Sequence, residues 1–388
     1  MGIELSESTY KPYNLRGNPF HPAGLPIQDD PIWAGRHKLR RHIELIIKRV
    51  LRSRKSECIV INGDYGTGKS HTLLFFHKNI NEARYDGSSI SIYIKNPGRT
   101  ITDFYLSLIN SLSHSLIVQV SKKVAGAAIR EFLSDLAKPG DAENAQYLLE
   151  RCKDLLSHEN LTKALVQKRV ASRDFASSIA WLALDENTEI VWKWLSGVRL
   201  EPRQMRRIGA LTQLYLPEQV EEALCGLVGM LRACGYSTVF LMLDEVEDLL
   251  NVRDDKLRFQ YLCSLRRIID RNPMNFCFIF ACTEDGWREI LLNYQPLASR
   301  LAKGNFIQLF NLTFEEMRVF IEEYLRQYRT ADPLFPLYPF KDEALKCIHE
   351  LSNGCPREIV KLCALAIERS IDKGEKAIQD ITVRESIS

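Results

Sequence analysis

Residues 61–73 read "INGDYGTGKSHTL", and this stretch decides the fold. It matches the pattern G-x-x-x-x-G-K-[ST] at Gly63, Gly68, Lys69 and Ser70. The apolar run just before it, "ECIVING", predicts a buried strand, and the pattern after it predicts a helix from Ser70 to about Glu82. A glycine-rich turn between a strand and a helix binds phosphate. The stretch therefore predicts a nucleotide-binding α/β fold with a parallel sheet.

The loop supplies most of the predicted nucleotide-binding residues. Its backbone N–H groups are expected to surround phosphate oxygens, aided by the positive end of the helix. These residues are Gly63, Asp64, Tyr65, Gly66, Thr67, Gly68, Lys69, Ser70 and His71. Lys69 is expected to reach the terminal phosphates during catalysis, and the Ser70 hydroxyl to hold Mg²⁺. A chance glycine-rich turn is the alternative. Guanine-reading sequences are absent, so ATP is the predicted nucleotide.

A second buried strand ends in two acids. In "VFLMLDEVED" (239–248), an apolar run leads to Asp244 and Glu245. Asp244 is placed to hold the Mg²⁺ shell, and Glu245 to orient or deprotonate the attacking water. A polar strand end is the alternative interpretation. Together with the loop, the acids predict an ATPase rather than nucleotide binding alone.

The order of apolar runs and helical patterns predicts a parallel sheet covered on both faces. Asp244 lies 175 positions after Lys69 (244 minus 69), whereas a strand–helix–strand unit takes roughly thirty residues. The excess predicts a helical insertion at about 102–222. The predicted domains are an extended N-terminal arm (1–30), a nucleotide-binding domain (31–305) and a C-terminal helical domain (306–388).

Composition excludes several classes of protein. Lys and Arg number 52 and Asp and Glu 49, so any contact with nucleic acid must come from local clusters. The longest apolar runs are far shorter than a membrane span, which predicts no membrane contact. The ten cysteines contain no C-x-x-C pair, as in a reduced, cytoplasmic protein. Neither cysteine nor histidine residues form a metal-ligand cluster.

From about Pro31 onward the chain resembles an AAA+ ATPase of the replication-initiator (origin-recognition) clade and its STAND relatives. "IWAGRHKLRRHI" resembles the segment that packs over adenine, which implies a nucleotide contact for Arg36. "FCFIFACTED" resembles the strand that carries the polar sensor and implies that role for Thr283, with a satisfied strand end as the alternative. The resemblance implies a parallel-sheet P-loop core with a C-terminal helical lid.

Two arginines take roles from the same resemblance. "YQPLASRL" is similar to the segment that gives an arginine finger to the neighbouring subunit, which implies that Arg300 acts in catalysis there. "GCPREIV" is similar to the lid motif whose arginine, here Arg357, touches the nucleotide. Ordinary surface arginines are the alternative for both. A finger supplied by a neighbour implies a homo-oligomer in ATP.

A narrower resemblance is to the ATP-binding proteins of BREX-type phage-defence islands. It rests on "NGDYGTGKSHTL", on "WLSG" inside the insertion, and on "LRACGYSTVFLMLDEVEDLL". The resemblance implies a role in antiviral defence.

Three basic clusters are candidates for DNA binding without sequence specificity. They are the segment 36–55, with nine Lys or Arg and one acid, the segment 95–100, and Arg199, Arg203, Arg206 and Arg207 of the insertion. Solvated helix faces with ion pairs are the alternative. Aromatic residues are not interleaved among these bases.

Two functions remain open from the sequence. The first is an ATPase that assembles on DNA or on partner proteins and releases on hydrolysis, with the helical insertion as a surface for protein partners. The second is a STAND-like signalling switch that holds ATP or ADP as a conformational latch with little turnover. Glu245 and Arg300 favour the first function.

Overall fold

The computed structural model describes most of the chain, namely residues 9–23, 31–132, 157–167, 172–214, 216–247, 254–301 and 305–387. Parts of the predicted arm and of the predicted insertion lie outside these described residues. The chain divides into two compact units. The first unit comprises Met1–Ile47, Ile61–Lys78 and Ile307–Ser388, and the second Lys48–Val60 and Asn79–Phe306. The division at 1–30, 31–305 and 306–388 stays a prediction.

Five strands form one sheet in the order β2-β3-β4-β1-β5. They are β1 (Glu57–Gly63), β2 (Ile90–Ile94), β3 (Val239–Leu243), β4 (Phe276–Cys282) and β5 (Phe306–Leu309). β3 pairs in parallel with β2 and with β4, and Leu243 lies opposite Ile94 and Phe280. Every residue of β3 and β4 is buried, which explains their continuous apolar sequences. The predicted α/β fold is confirmed.

Helices make up most of the rest of the described chain. They are α1 (His37–Ser53), α2 (Lys69–Asn81), α3 (Ile101–Ser111), α4 (His114–Phe132), α5 (His158–Gln167), α6 (Arg173–Ala183), α7 (Thr188–Leu195), α8 (Pro202–Ile208), α9 (Pro217–Ala233), α10 (Asp255–Arg271), α11 (Glu284–Asn293), α12 (Gln295–Leu301), α13 (Phe314–Tyr328), α14 (Asp342–Ser352), α15 (Pro356–Asp372) and α16 (Asp380–Glu385). A 3₁₀ turn covers Lys11–Tyr13.

The predicted helical insertion corresponds to α3–α9 of the second unit. α3 begins at a capping box, in which Thr100 Oγ1 accepts from Asp103 N (3.1 Å) and Asp103 Oδ2 accepts from Thr100 N (2.9 Å). Phe104, Phe175 and Trp194 are fully buried in a core that also includes side chains of β2, β3 and β4. The insertion is therefore packed onto the sheet of its own unit.

In the first unit, residues 9–23 pack against the C-terminal helices. The Tyr13 hydroxyl is buried and hydrogen-bonds to Ser370 Oγ (2.5 Å), and the ring of Phe20 stacks on Tyr324 at a centroid distance of 5.3 Å. Leu15 forms an isolated β-bridge with Arg329. The sequence predicted an extended arm because proline and glycine are frequent there. The aromatic side chains between them bury apolar surface, which fixes this segment to α13 and α15.

Candidate functional site

The phosphate loop, residues 63–70, connects β1 to α2. Gly66 and Gly68 have φ angles of +79° and +100°, a region that residues with a Cβ rarely adopt. A Cβ on Gly63 would lie 2.7 Å from the carbonyl oxygen of Leu309. Backbone conformation and close approach therefore require glycine at these three positions.

Lys69 is buried at the first residue of α2. Its Nζ donates to the carbonyl oxygens of Gly63 (2.8 Å) and Asp64 (3.0 Å) and lies 5.4 Å from the ring centroid of Tyr65. Thr67 Oγ1 also donates to the Asp64 oxygen (2.7 Å). Charge-assisted bonds to phosphate are stronger than bonds to neutral carbonyls. The ammonium is thus held beside the loop by partners that phosphate oxygens can replace.

Arg36 is bonded to the phosphate loop through its guanidinium. Nη1 donates to the Thr67 oxygen (2.7 Å), and Nη2 donates to the oxygen of Phe310. Burial lowers the pKa of Arg36, and an arginine stays charged under such a shift. Its contacts therefore link the loop to the chain after β5, while a contact with nucleotide stays a prediction.

The segment before α1 is fixed on both sides within the first unit. Glu323 of α13 accepts from Gly35 N (2.5 Å) and from His37 Nε2 (2.9 Å). His71 Nε2 hydrogen-bonds to the oxygen of Ile32 (2.6 Å). Burial lowers the pKa of His71, so its ring is neutral at pH 7 and Nε2 carries the donated proton. α2 and α13 together hold the backbone that carries Arg36.

The helix α15 contacts the phosphate loop. Arg357 N donates to the oxygen of Gly66 (3.2 Å). A Cβ on Gly66 would lie 2.6 Å from Cys355 Sγ and 3.2 Å from Arg357 Cβ. The Arg357 side chain is exposed, and its predicted contact with nucleotide remains a proposal. A change of conformation in the loop therefore alters contacts at the first turn of α15.

In the second unit, Asp244 follows β3 with only 1% of its surface exposed. Oδ2 accepts from the Tyr93 hydroxyl (2.9 Å), and Oδ1 accepts from Glu245 N (3.0 Å). Burial and the charge of Asp244 raise the pKa of Tyr93, which keeps the phenol protonated as a donor. No basic side chain of the described residues forms an ion pair with Asp244. A buried carboxylate with this environment is suited to a cation.

Glu245 has a left-handed backbone, with φ of +50°. This region is uncommon for residues with a Cβ, and such conformations cluster at functional sites. The next residue, Val246, is fully buried and anchors the turn. Glu245 therefore has a constrained backbone conformation directly after Asp244.

Thr283 follows β4, the parallel neighbour of β3. Its Oγ1 accepts from Gly286 N (3.2 Å) and caps α11, and the residue is 6% exposed. The carboxyl ends of adjacent parallel strands lie at one edge of a sheet, so Thr283 and Asp244 share that edge. The cap gives Thr283 a structural role, and the sensor role stays a prediction.

Arg300 lies on α12 in an ion pair within its own chain. Its Nε donates to Asp270 Oδ1 (2.7 Å), and Arg266 Nε lies 3.3 Å from Asp270 Oδ2. The Arg300 side chain is 39% exposed. A catalytic role at a neighbouring subunit therefore requires Arg300 to leave Asp270.

Comparison with known proteins assigns the chain to a family. The sequence pattern of the family described as BREX system ATP-binding protein BrxC/D matches residues 29–319. The chain belongs to this family. It is an ATP-binding protein, as the resemblance implied. None of the curated proteins matches the chain.

Solved structures similar to this BrxC/D family member are origin-recognition proteins. The Aeropyrum pernix ORC2 protein, in ADPNP–ADP complexes, has a TM-score of 0.52 and 12% identity, over 93% of this chain and 70% of that one. Aeropyrum pernix ORC1 in complex with DNA has a TM-score of 0.47 and 12% identity, over 94% of this chain and 68% of that one. Drosophila ORC bound to DNA has a TM-score of 0.48 and 13% identity, over 100% of this chain and 67% of that one. The similarity to ORC2 confirms the AAA+ fold.

Sequence motifs of the BrxC/D chain did not reveal Tyr93 or Glu323. Tyr93 is the single aromatic residue of "SISIYI", and a polar-tipped ring at the end of a strand beside Asp244 was the available signal. Glu323 lies on an ordinary amphipathic helix and gave no signal. No helix in the described ranges is long and apolar enough to cross a membrane. Within the same ranges, no cluster of three His, Cys, Asp or Glu side chains is arranged to hold a metal ion.

Proposed function

We propose that this BrxC/D family member hydrolyses ATP with Mg²⁺ at an interface between subunits. The observation that carries the proposal is the buried Asp244, which forms no ion pair with any described residue and is followed by Glu245, in a chain that also has a glycine-rich loop and Lys69. The loop alone supports nucleotide binding. The acid pair supports hydrolysis, because a carboxylate beside a metal-holding acid orients or deprotonates water.

Each residue has a distinct proposed role. Loop amides and Lys69 bind the phosphates, and Glu245 positions the attacking water. Ser70 and Asp244 would hold Mg²⁺, which offsets phosphate charge when bound. Thr283 orients the water from the neighbouring strand, and Arg357 contacts the nucleotide from the lid.

The assembly is proposed to act in BREX phage defence, on DNA or on partner proteins that dock on the helical insertion. Arg300 supports a homo-oligomer in ATP, since a finger acts on the site of a neighbour. The nine described cysteines are free, which supports a reducing cytoplasmic location.

A conformational latch is the second candidate function. The ion pair of Arg300 with Asp270 favours it, because the candidate finger is held within its own chain. Such a protein retains ATP or ADP and hydrolyses rarely.

The test measures ATP hydrolysis with and without duplex DNA, together with mass photometry in ATP and in ADP. DNA-stimulated turnover with larger assemblies in ATP supports the first function, and a slow, DNA-indifferent monomer that retains its nucleotide supports the latch. Glu245→Gln is expected to bind ATP and to lose about 100-fold or more in turnover. Lys69→Ala is expected to lose nucleotide binding while keeping its circular dichroism spectrum. Unchanged ATP affinity in Lys69→Ala overturns both functions.

A further inference from the structure

Residues 190–217 of the insertion concentrate positive charge that the nucleotide site does not use. The segment has five basic residues and one acid, a net charge of +4 (five minus one), whereas the whole chain has +3. The rest of the chain is therefore close to neutral. Four of the five are exposed arginines, here called the arginine surface: Arg199, Arg203, Arg206 and Arg207.

The arginines of α8 share one side of the helix. Positions 203, 206 and 207 are spaced i, i+3 and i+4, so their side chains leave the helix in one direction. Met205 and Ile208 lie on the other side and are buried in the core. Arg199 precedes the same helix. None of the four forms an ion pair with any residue that the structure describes, whereas nearby Lys193 pairs with Glu189 (2.6 Å).

Side chains of the second unit hold the backbone of this surface at both ends. The Gln213 side chain hydrogen-bonds to both backbone groups of Leu200. Gln213 Nε2 donates to Leu200 O (2.7 Å), and Gln213 Oε1 accepts from Leu200 N (3.2 Å). The oxygen of Ile208 accepts from Ser177 Oγ (2.7 Å) and from Trp181 Nε1 (3.1 Å). Binding there consequently orders side chains but not backbone, which reduces its entropic cost.

We propose that the arginine surface binds the phosphate backbone of duplex DNA without reading its sequence. Unpaired guanidinium groups match phosphate oxygens in a bidentate geometry. Duplex DNA presents its phosphates outward at high density. In the described part of the segment no aromatic side chain is exposed, so a stacking platform for single strands is lacking there.

The other long basic segment, 36–55, holds two of its arginines in ion pairs. On α1, Arg40 pairs with Glu44 (2.8 Å), and Arg49 pairs with Glu57 (2.5 Å). An ion pair must be given up before such an arginine contacts phosphate. The arginine surface has no such cost. The proposal goes beyond nucleotide hydrolysis and depends on no step of it.

The test is fluorescence anisotropy of a labelled duplex of mixed sequence, titrated with the full chain at several salt concentrations. The triple variant Arg203→Gln/Arg206→Gln/Arg207→Gln is expected to bind at least about tenfold more weakly at moderate salt. Its slope of log K against log [salt] is expected to fall by roughly 2–3, since each phosphate contact contributes about 0.9. ATP affinity of the variant should equal that of the wild type.

A matched triple on another surface controls for net charge. Lys38→Gln/Arg41→Gln/Lys48→Gln removes the same number of charges from exposed positions of α1 that form no ion pair with any described residue. This variant is expected to keep most of the affinity and of the salt slope. Equal loss in both triples overturns the assignment to the arginine surface. If the wild-type protein does not bind the duplex but binds polyglutamate, DNA is overturned as the partner in favour of an acidic protein segment.

Discussion

At the scale of single residues, the hydroxyl of Tyr93 is the side-chain donor that holds the Asp244 carboxylate. Tyr93→Phe removes this hydrogen bond and leaves a buried charge with one donor fewer. A hydrogen bond to a charged group is worth about 1.5–3 kcal/mol. The free energy of unfolding of the variant, measured by urea titration, is therefore expected to fall by about that amount. Its kcat is also expected to fall while ATP affinity is kept, because Tyr93 positions Asp244.

Tyr105→Phe is the matched control for that variant. The hydroxyl of Tyr105 is fully buried and has no hydrogen-bond partner in the structure. Removing it deletes an unsatisfied polar group, so the stability of this variant is expected to equal or exceed that of the wild type. Equal destabilisation in both variants, measured by urea unfolding, would show that the Asp244 contact is not what Tyr93 contributes.

His71 makes stability depend on pH. Burial lowers its pKa below the usual 6.5, so the unfolded chain takes up a proton first as the pH falls. Stability is therefore complete above about pH 6.5 and decreases as the pH drops through that value. His71→Gln keeps a donor for the Ile32 oxygen and does not titrate. The fall in urea midpoint from about pH 7.5 to about pH 5.5 is expected to be smaller in His71→Gln, and an identical fall would contradict this account.

At the scale of elements, the contact between the phosphate loop and α15 predicts a specific pair of effects. Gly66→Ala places a Cβ 2.6 Å from Cys355 Sγ and in a left-handed conformation. The strain is about 1–2 kcal/mol, and the overpacking adds about 1–3 kcal/mol. The variant is expected to melt several degrees lower and to bind ATP more weakly.

Cys355→Ala in the same chain removes the nearest obstructing atom and is expected to restore the overpacking part of the loss, but not the strain. Differential scanning calorimetry of both single variants and the double variant gives the coupling. Strict additivity of the two substitutions would mean that the loop and α15 are not in steric contact.

Among the strands, sequence patterns predicted those that are buried along most of their length. β3 and β4 are buried at every residue, so their apolar runs had one interpretation. β5 has only four residues, with Phe306 exposed and Ile307 buried, and so short an alternating run gives little signal. The packing of residues 9–23 could not be predicted for a different reason. Its partners Tyr324 and Ser370 are more than 300 positions away in the sequence.

At the scale of the whole molecule, local motifs predicted the family and the AAA+ fold because phosphate binding requires glycine and lysine at fixed spacing. Such local motifs could not predict contacts between residues that are far apart in the sequence. The ion pair of Arg300 with Asp270 is one example, since the two residues lie 30 positions apart in the sequence. The motif predicted that Arg300 acts as an arginine finger in an assembly. The structure adds that, within a single chain, an ion pair with Asp270 restrains it.

That restraint leads to a test with mixed subunits. If Arg300 acts on the site of a neighbour, Arg300→Ala and Glu245→Gln each lose about 100-fold in ATP turnover, because every interface lacks one of the two groups. In an equimolar mixture, about one interface in four joins an intact Glu245 to an intact Arg300. The mixture is therefore expected to hydrolyse ATP well above the mean of the two separate variants. Activity equal to that mean, with assembly verified by mass photometry, would assign Arg300 to its pairing with Asp270 alone.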